Sequence, residues 1–327
     1  MTQIYGTLGP ACATQSVLED MFRAGMTGIR LNLSHCDLAD STAQISAFHA
    51  AAQATGIRPQ LVVDTQGPEL RIGALNTPLL LEGGMTVTLG KDGIPVPAVV
   101  AEALTDGCEV LLDDGRIALR VTSAERGEAA VLRGGTLTGH KSIKLPGKDI
   151  RLPVLTERDV KNLRQAADFG VTGLLQPFVR SGQDLLALRQ LLNENGAGHL
   201  QIFAKIETLE GADNLPDILP YADVIVIARG DLGNDMPLWQ LPAVQKRIAN
   251  TCRAAGKPFL VVTQMLTSME RAAVPTRAEV SDIFNAVADG AWGVMLTGET
   301  AVGQYPAEAI RYLSNTAAEA CRWLESQ

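Results

Sequence analysis

Cysteine is sparse in this chain and follows no pairing pattern. The five residues (Cys12, Cys36, Cys108, Cys252, Cys321) are scattered, odd in number and nowhere form Cys-x-x-Cys. That spacing excludes a disulfide framework and a thiolate zinc site, and reads as reduced thiols of a cytoplasmic protein. Aromatic residues make up only 4%, and the three tryptophans and four tyrosines form no strip on which bases could stack. Positive charge is also short: 28 Lys and Arg against 36 Asp and Glu leave a net charge of −8, which argues against nucleic acid as a partner. No apolar run reaches bilayer-spanning length, and the opening MTQIYGTLGP lacks the charged-then-apolar order of a signal peptide. No membrane partner is expected.

What is present is a hydrophobic content of 46% over 327 residues, enough for one barrel or two ordinary domains. Short β-rich runs alternate with helical stretches. Strands are expected at 4–9, 28–34, 60–65, 173–177, 201–206, 222–228, 258–264 and 293–297, with helical stretches following them. Eight strands alternating with helices predict an α/β fold of the (β/α)8, or TIM-barrel, type. The rhythm changes between about 69 and 145. Segments such as MTVTL, EVLLDD, RIALRV and AVLRGGTL are separated by Gly and Asp turns, with no amphipathic helix. This predicts a small all-β domain, a β-barrel lid over 69–145, inserted after barrel strand 3, with the barrel itself formed by 1–68 and 146–327.

The stretch 201–231 organises the rest. Its first apolar run ends in Lys205-Ile206-Glu207 and its second in Arg229-Gly230-Asp231. Strand alternation puts Lys205 and Glu207 on one side. A cation, two carboxylates and a glycine turn then converge at the carboxyl ends of neighbouring strands, where such folds place their sites. Two acids with a lysine suit a divalent metal and an anionic, phosphate-bearing or oxoacid substrate. On 28–34, Arg30, Asn32 and Ser34 stand at alternate positions and are expected to face inward together. Such a buried polar row needs partners.

At this point the sequence resembles the pyruvate kinase family, through TLGPA (7–11), GMTGIRLNLSH (25–35), DTQGPELR (64–71), DDGRI (113–117), AKIE (204–207), ARGDLG (228–233), TQML (263–266), PTRAEVSD (275–282) and GETAVGQYP (298–306). The resemblance implies phosphoryl transfer from phosphoenolpyruvate to ADP, giving pyruvate and ATP through an enolate held on a divalent metal. It implies Mg²⁺ or Mn²⁺ on Glu207 and Asp231, with Lys205 stabilising the charge that develops on the phosphoryl group and enolate oxygen. Arg30 would contact the phosphoryl group. Backbone N–H groups of Arg229, Gly230 and Asp231 would hold the substrate carboxylate, and Thr263, ending the seventh strand, would help protonate the enolate. Asn32, Ser34, Asp64 and Thr65 match a K⁺ site, and Glu69 the acid that accompanies potassium dependence. Arg71 and Lys141 match nucleotide-phosphate contacts, with Asn32 and His35 beside them.

The shell around this core departs from the family pattern. Gln66 stands in place of a lysine, Thr267 of a glutamate, Val302 of a lysine and Cys36 of a glycine, while Gln176-Pro177 replaces small residues. The sequence stops after the eighth barrel unit, so sugar-phosphate effector control is not expected. A homo-oligomer is, with exposed barrel helices available for a dimer; the sequence does not select between that and the usual tetramer. Another metal-dependent pyruvate-enolate enzyme, an aldolase or decarboxylase, is the alternative, with a non-catalytic sensor behind it. Retention of Arg71, Asp114 and Lys141 favours nucleotide use.

Overall fold

A computed structural model describes residues 2–327 apart from His35, Pro68, Lys91, Asp149 and Arg151. His35, expected near the nucleotide, thus lies outside the described residues. By internal contacts the chain divides into two compact units, Met1–Gly67 with Val154–Gln327, and Pro68–Pro153. The return crossing falls later than the 145/146 boundary read from the sequence.

The first unit is a closed parallel barrel. Its strands are β1 (Gln3–Thr7), β2 (Gly28–Asn32), β3 (Gln60–Asp64), β4 (Gly173–Gln176), β5 (Gln201–Ile206), β6 (Val224–Ala228), β7 (Phe259–Val262) and β8 (Gly293–Met295). Each pairs with its sequence neighbour, and β8 closes on β1 through Gln3↔Gly293 and Tyr5↔Met295. Strands buried on both faces must be apolar throughout, as β6 (VIVIA) is. Alternate residues of the strands divide between two layers. Ile29, Leu31, Val63, Ala204 and Ile206 pack outward under the helices. Tyr5, Val62, Phe203, Val226 and Leu260 fill the barrel interior. The helices Glu157–Leu163, Gly182–Glu194 and Arg277–Ala288 each start on a capping box, set by Thr156, Ser181 and Thr276, which satisfies N–H groups the first turn cannot pair.

Several strands end earlier than the sequence predicts, and β2 and β7 show why. β2 stops at Asn32, so Ser34 lies in a turn, its N–H donating to Asn32 Oδ1 at 3.1 Å. β7 stops at Val262, and Thr263 and Gln264 take left-handed φ angles of 73° and 54°. Local turn chemistry at the strand ends overrides the alternating pattern in both places.

The second unit has its own core, with Ile72, Val110, Leu112, Leu119, Val121 and Val131 in it. Its strands form a five-stranded sheet with antiparallel pairings and a separate two-stranded ribbon rather than one closed barrel. It also holds a short helix, Ala98–Ala103, where none was expected. With only six residues, that helix is too short for an apolar repeat to be visible. Among the described residues, no helix is long and apolar enough to cross a membrane.

Candidate active site

Because Ile29 and Leu31 face outward, Arg30 between them faces into the barrel. The same alternation turns Asp64 inward after Val63, and Lys205 inward between Ala204 and Ile206. The closed sheet brings these three together. The Arg30 guanidinium bonds Asp64 Oδ2 through Nη2 at 2.7 Å and Nε at 2.8 Å. Lys205 Nζ lies 3.3 Å from both Asp64 oxygens and 3.0 Å from Glu207 Oε1. Glu207 also accepts the Phe178 N–H at 2.8 Å. Asp64 and Glu207 are almost wholly buried, at 2% and 1% exposure.

These side chains line a cavity of about 120 Å³ together with Leu175, Ala228, Gly230, Asp231, Val262, Thr263, Met295 and Thr297. Charge in it is strongly coupled. Burial alone would lower the Lys205 pKa, but the Asp64 and Glu207 carboxylates outweigh it and hold the ammonium well above its usual value. Burial would raise Asp64, yet Lys205 and Arg30 keep its carboxyl below the ordinary range. Glu207 is pushed up to about 7 by burial, against the opposing pull of Lys205, with repulsion from Asp231 and Asp64 adding to the rise. Neighbouring carboxylates that raise the proton affinity of Glu207 mark a site with a deficit of positive charge. An added hard cation would relieve it. Among the described residues, no group of three or more His, Cys, Asp or Glu could hold a metal alone. Glu207 and Asp231 would supply two ligands to an ion whose other positions are filled by substrate and water, the habit of Mg²⁺.

The remaining predicted residues fall into distinct settings. Gly230 and Asp231 reach the cavity from the single turn Arg229–Leu232, whose first N–H groups have no partner within the turn. Arg229 is different: its guanidinium does not line the cavity. It donates to the Thr263 carbonyl from Nη2 (2.6 Å) and Nε (3.2 Å), and pairs with Asp282 at 2.6 Å. Any substrate contact from Arg229 is therefore through its backbone. Thr263 Oγ1 is buried and has no hydrogen-bond partner among the described residues.

Asn32 and Asp64 are register partners at the ends of β2 and β3, so part of the expected K⁺ set is assembled. Thr65 is buried there too, its hydroxyl donating to Leu175 O at 3.3 Å. The ammonium and guanidinium on Asp64 already neutralise the one charged member of that set. In the second unit, Arg71 pairs with Glu69 at 2.9 Å and Lys141 with Asp113 at 2.7 Å. Asp113 and Asp114 have φ of 50° and 54°, and Asp114 is held by Ser142.

Sequence reasoning missed Thr297, which lines the cavity just past β8. Its position after a barrel strand was the available signal. Asp282 and the buried Asp159 were missed as well, and neither stands next to the other site residues in sequence.

An eight-stranded parallel barrel with a lysine and carboxylates gathered in a cavity at its strand ends defines the class of (β/α)8 proteins that carry a charged site in the barrel mouth. The model of the pyruvate kinase barrel domain matches residues 1–310. The chain belongs to the pyruvate kinase family. It is 39% identical over 333 residues to the pyruvate kinase of Geobacillus stearothermophilus, covering 97% of this chain and 56% of that protein. Against the Bacillus licheniformis pyruvate kinase the identity is 38%, with 97% and 56% covered. Against that of Clostridium acetobutylicum it is 37%, with 98% and 70% covered. The chain thus spans little more than half the length of the first two relatives.

Proposed function

We propose that this chain carries a pyruvate kinase-type phosphoryl transfer, phosphoenolpyruvate and ADP giving pyruvate and ATP, in the cytoplasm. The observation that carries the reading is the largely enclosed Lys205, its positive charge secured by Asp64 and Glu207 in a cavity that also presents Thr263. At about 120 Å³, the cavity is well below the ~300–1,000 Å³ of sites for drug-sized ligands. It suits the reacting end of a three-carbon acid.

The reaction needs fixed positive charge and in-line placement rather than a covalent nucleophile. An oxygen of the ADP β-phosphate attacks phosphorus while the bond to the enol oxygen breaks, leaving the electron pair on that oxygen. Lys205 and Arg30 stand ready for the charge spread over the phosphoryl oxygens, already oriented by Asp64. Mg²⁺ or Mn²⁺ held by Glu207 and Asp231 would supply further positive charge to the phosphoryl group and enol oxygen. Backbone N–H groups of the 229–231 turn would hold the substrate carboxylate. The Thr263 hydroxyl, free of other partners among the described residues, would relay a proton to the enolate methylene carbon, taking one from water as it gives its own, and so complete pyruvate. Arg71 and Lys141 would meet nucleotide phosphates by exchanging their carboxylate partners. Asn32, Ser34, Asp64 and Thr65 would carry K⁺ activation, and self-association through barrel helices is proposed as well.

The test is incubation with phosphoenolpyruvate, ADP, Mg²⁺ and K⁺, following ATP and pyruvate separately. Equal amounts of both products are expected. Pyruvate or a derivative of it without ATP would overturn the kinase reading.

A further inference from the structure

Thr263 is a β-branched residue at φ 73°, followed by Gln264 at φ 54°. Branched side chains rarely adopt this region, and such outliers persist only where surroundings hold them. The hold is visible. The Thr263 carbonyl accepts two N–H groups of the Arg229 guanidinium, whose Nη2 also lies 2.9 Å from the Met265 sulfur. The remaining Nη1 is anchored 2.6 Å from Asp282 Oδ2. Arg229 is 9% exposed, so without Asp282 its charge would be buried and unpaired, a costly state. Fixing the carbonyl fixes the peptide plane between Thr263 and Gln264, and with it the backbone from which the hydroxyl is presented to the cavity.

We infer that Asp282 and Arg229 are positioning residues, a relay from the helix Arg277–Ala288 that locks Thr263 in its left-handed conformation and aims its hydroxyl. This deepens the proposed function and rests on the reading of Thr263 as the proton-delivering group. Asp282 does not line the cavity, and its side chain is about one-third exposed (35%). Asp282→Asn removes the charge but keeps an oxygen that can accept from Arg229 Nη1, which limits the cost to the fold.

The experiment compares wild type, Asp282→Asn, Thr263→Val and the double variant. Three quantities are measured: phosphoryl transfer, solvent deuterium exchange at the pyruvate methyl, and backbone amide exchange of 263–266 by mass spectrometry. Asp282→Asn should slow transfer and methyl exchange ~10–100-fold, the cost of small misplacement at a reacting centre. Half-saturation for phosphoenolpyruvate should stay within ~3-fold, since uniform binding is untouched. In the Thr263→Val background the same change should add less than ~2-fold, because residues acting as a unit are not additive. Amide exchange over 263–266 should accelerate. Asp289→Asn, which removes a surface pair with Lys246 at the end of the same helix, should leave all of these unchanged. Multiplying effects in the double variant, or unchanged amide exchange in Asp282→Asn, would overturn the relay. Should the wild type show neither transfer nor methyl exchange, the functional reading falls. Amide exchange then decides the relay alone, faster exchange supporting it and unchanged exchange overturning it.

Discussion

The Lys205 ammonium sits 3.3 Å from both carboxylate oxygens of Asp64, although 141 positions separate the two in the chain. Asp64 thereby helps keep a largely enclosed lysine charged, opposing the desolvation that would neutralise it. Asp64→Asn removes that support, so the Lys205 pKa should fall. The alkaline limb of kcat/KM should then appear at lower pH than in wild type. A pH profile taken to about pH 10 checks this, and an unmoved limb would show that Asp64 does not govern the lysine.

Lys205 itself should be indispensable. Lys205→Met keeps the stem and removes the charge, and loss of such a preorganised group costs roughly 10²–10³-fold in turnover. Mn²⁺ affinity should change far less, because Glu207 and Asp231 remain. Single-turnover transfer and Mn²⁺ titration separate the two effects. Transfer at the wild-type rate would remove Lys205 from the mechanism.

On the proposed metal site, Glu207 should make metal binding pH-dependent. With its pKa at about 7 in the metal-free protein, protons compete with the cation below that value and not above it. Mn²⁺ affinity should fall ~10-fold per pH unit below 7, with one proton released on binding. Calorimetry in buffers of different ionisation heat measures that proton. Asp231→Asn takes away a repelling charge, so it should shift the transition to lower pH while weakening binding overall.

Potassium activation should depend on the oxygen cluster at the ends of β2 and β3. Rates in KCl should exceed those in tetramethylammonium chloride of equal strength, and Ser34→Ala should raise the K⁺ needed for half activation. Equal rates in the two salts would remove the ion from the proposal.

Asp159 is expected to matter for stability. Its carboxylate accepts the N–H groups of Gln66 and Gly67 on one crossing and the N–H and hydroxyl of Thr156 on the other, all at 2.8–3.0 Å. At 1% exposure, Asp159→Ala strands these donors away from water, at ~1–3 kcal/mol for each one left unmet. The urea midpoint of the barrel should fall clearly. A change within error would mean that water replaces the carboxylate.

Much of this protein is determined by local pattern. Alternation over AKIE sets Lys205 and Glu207 on one wall, and the 3.0 Å pair confirms that side. The eight apolar runs, punctuated by capping and turn residues, specify the barrel strands whatever surrounds them. Pattern loses its hold where the strands stop. Ser34 and Thr263 leave the strand geometry because a side-chain hydrogen bond bends the chain in one case and a guanidinium grips the backbone in the other. Partner choice was likewise beyond the pattern. Arg30, Asp64 and Lys205 come from three different strands, and only closure of the barrel in its particular register decides that the two cations share one carboxylate. Arg229 makes the same point in reverse: its motif places it at the site, but Asp282 and the Thr263 carbonyl, brought near by the fold, turn its charge away from the cavity. Alternation along a strand acts between neighbours two residues apart and can be read in one dimension, whereas the neutralisation of a buried charge depends on which groups the closed structure sets within a few ångströms.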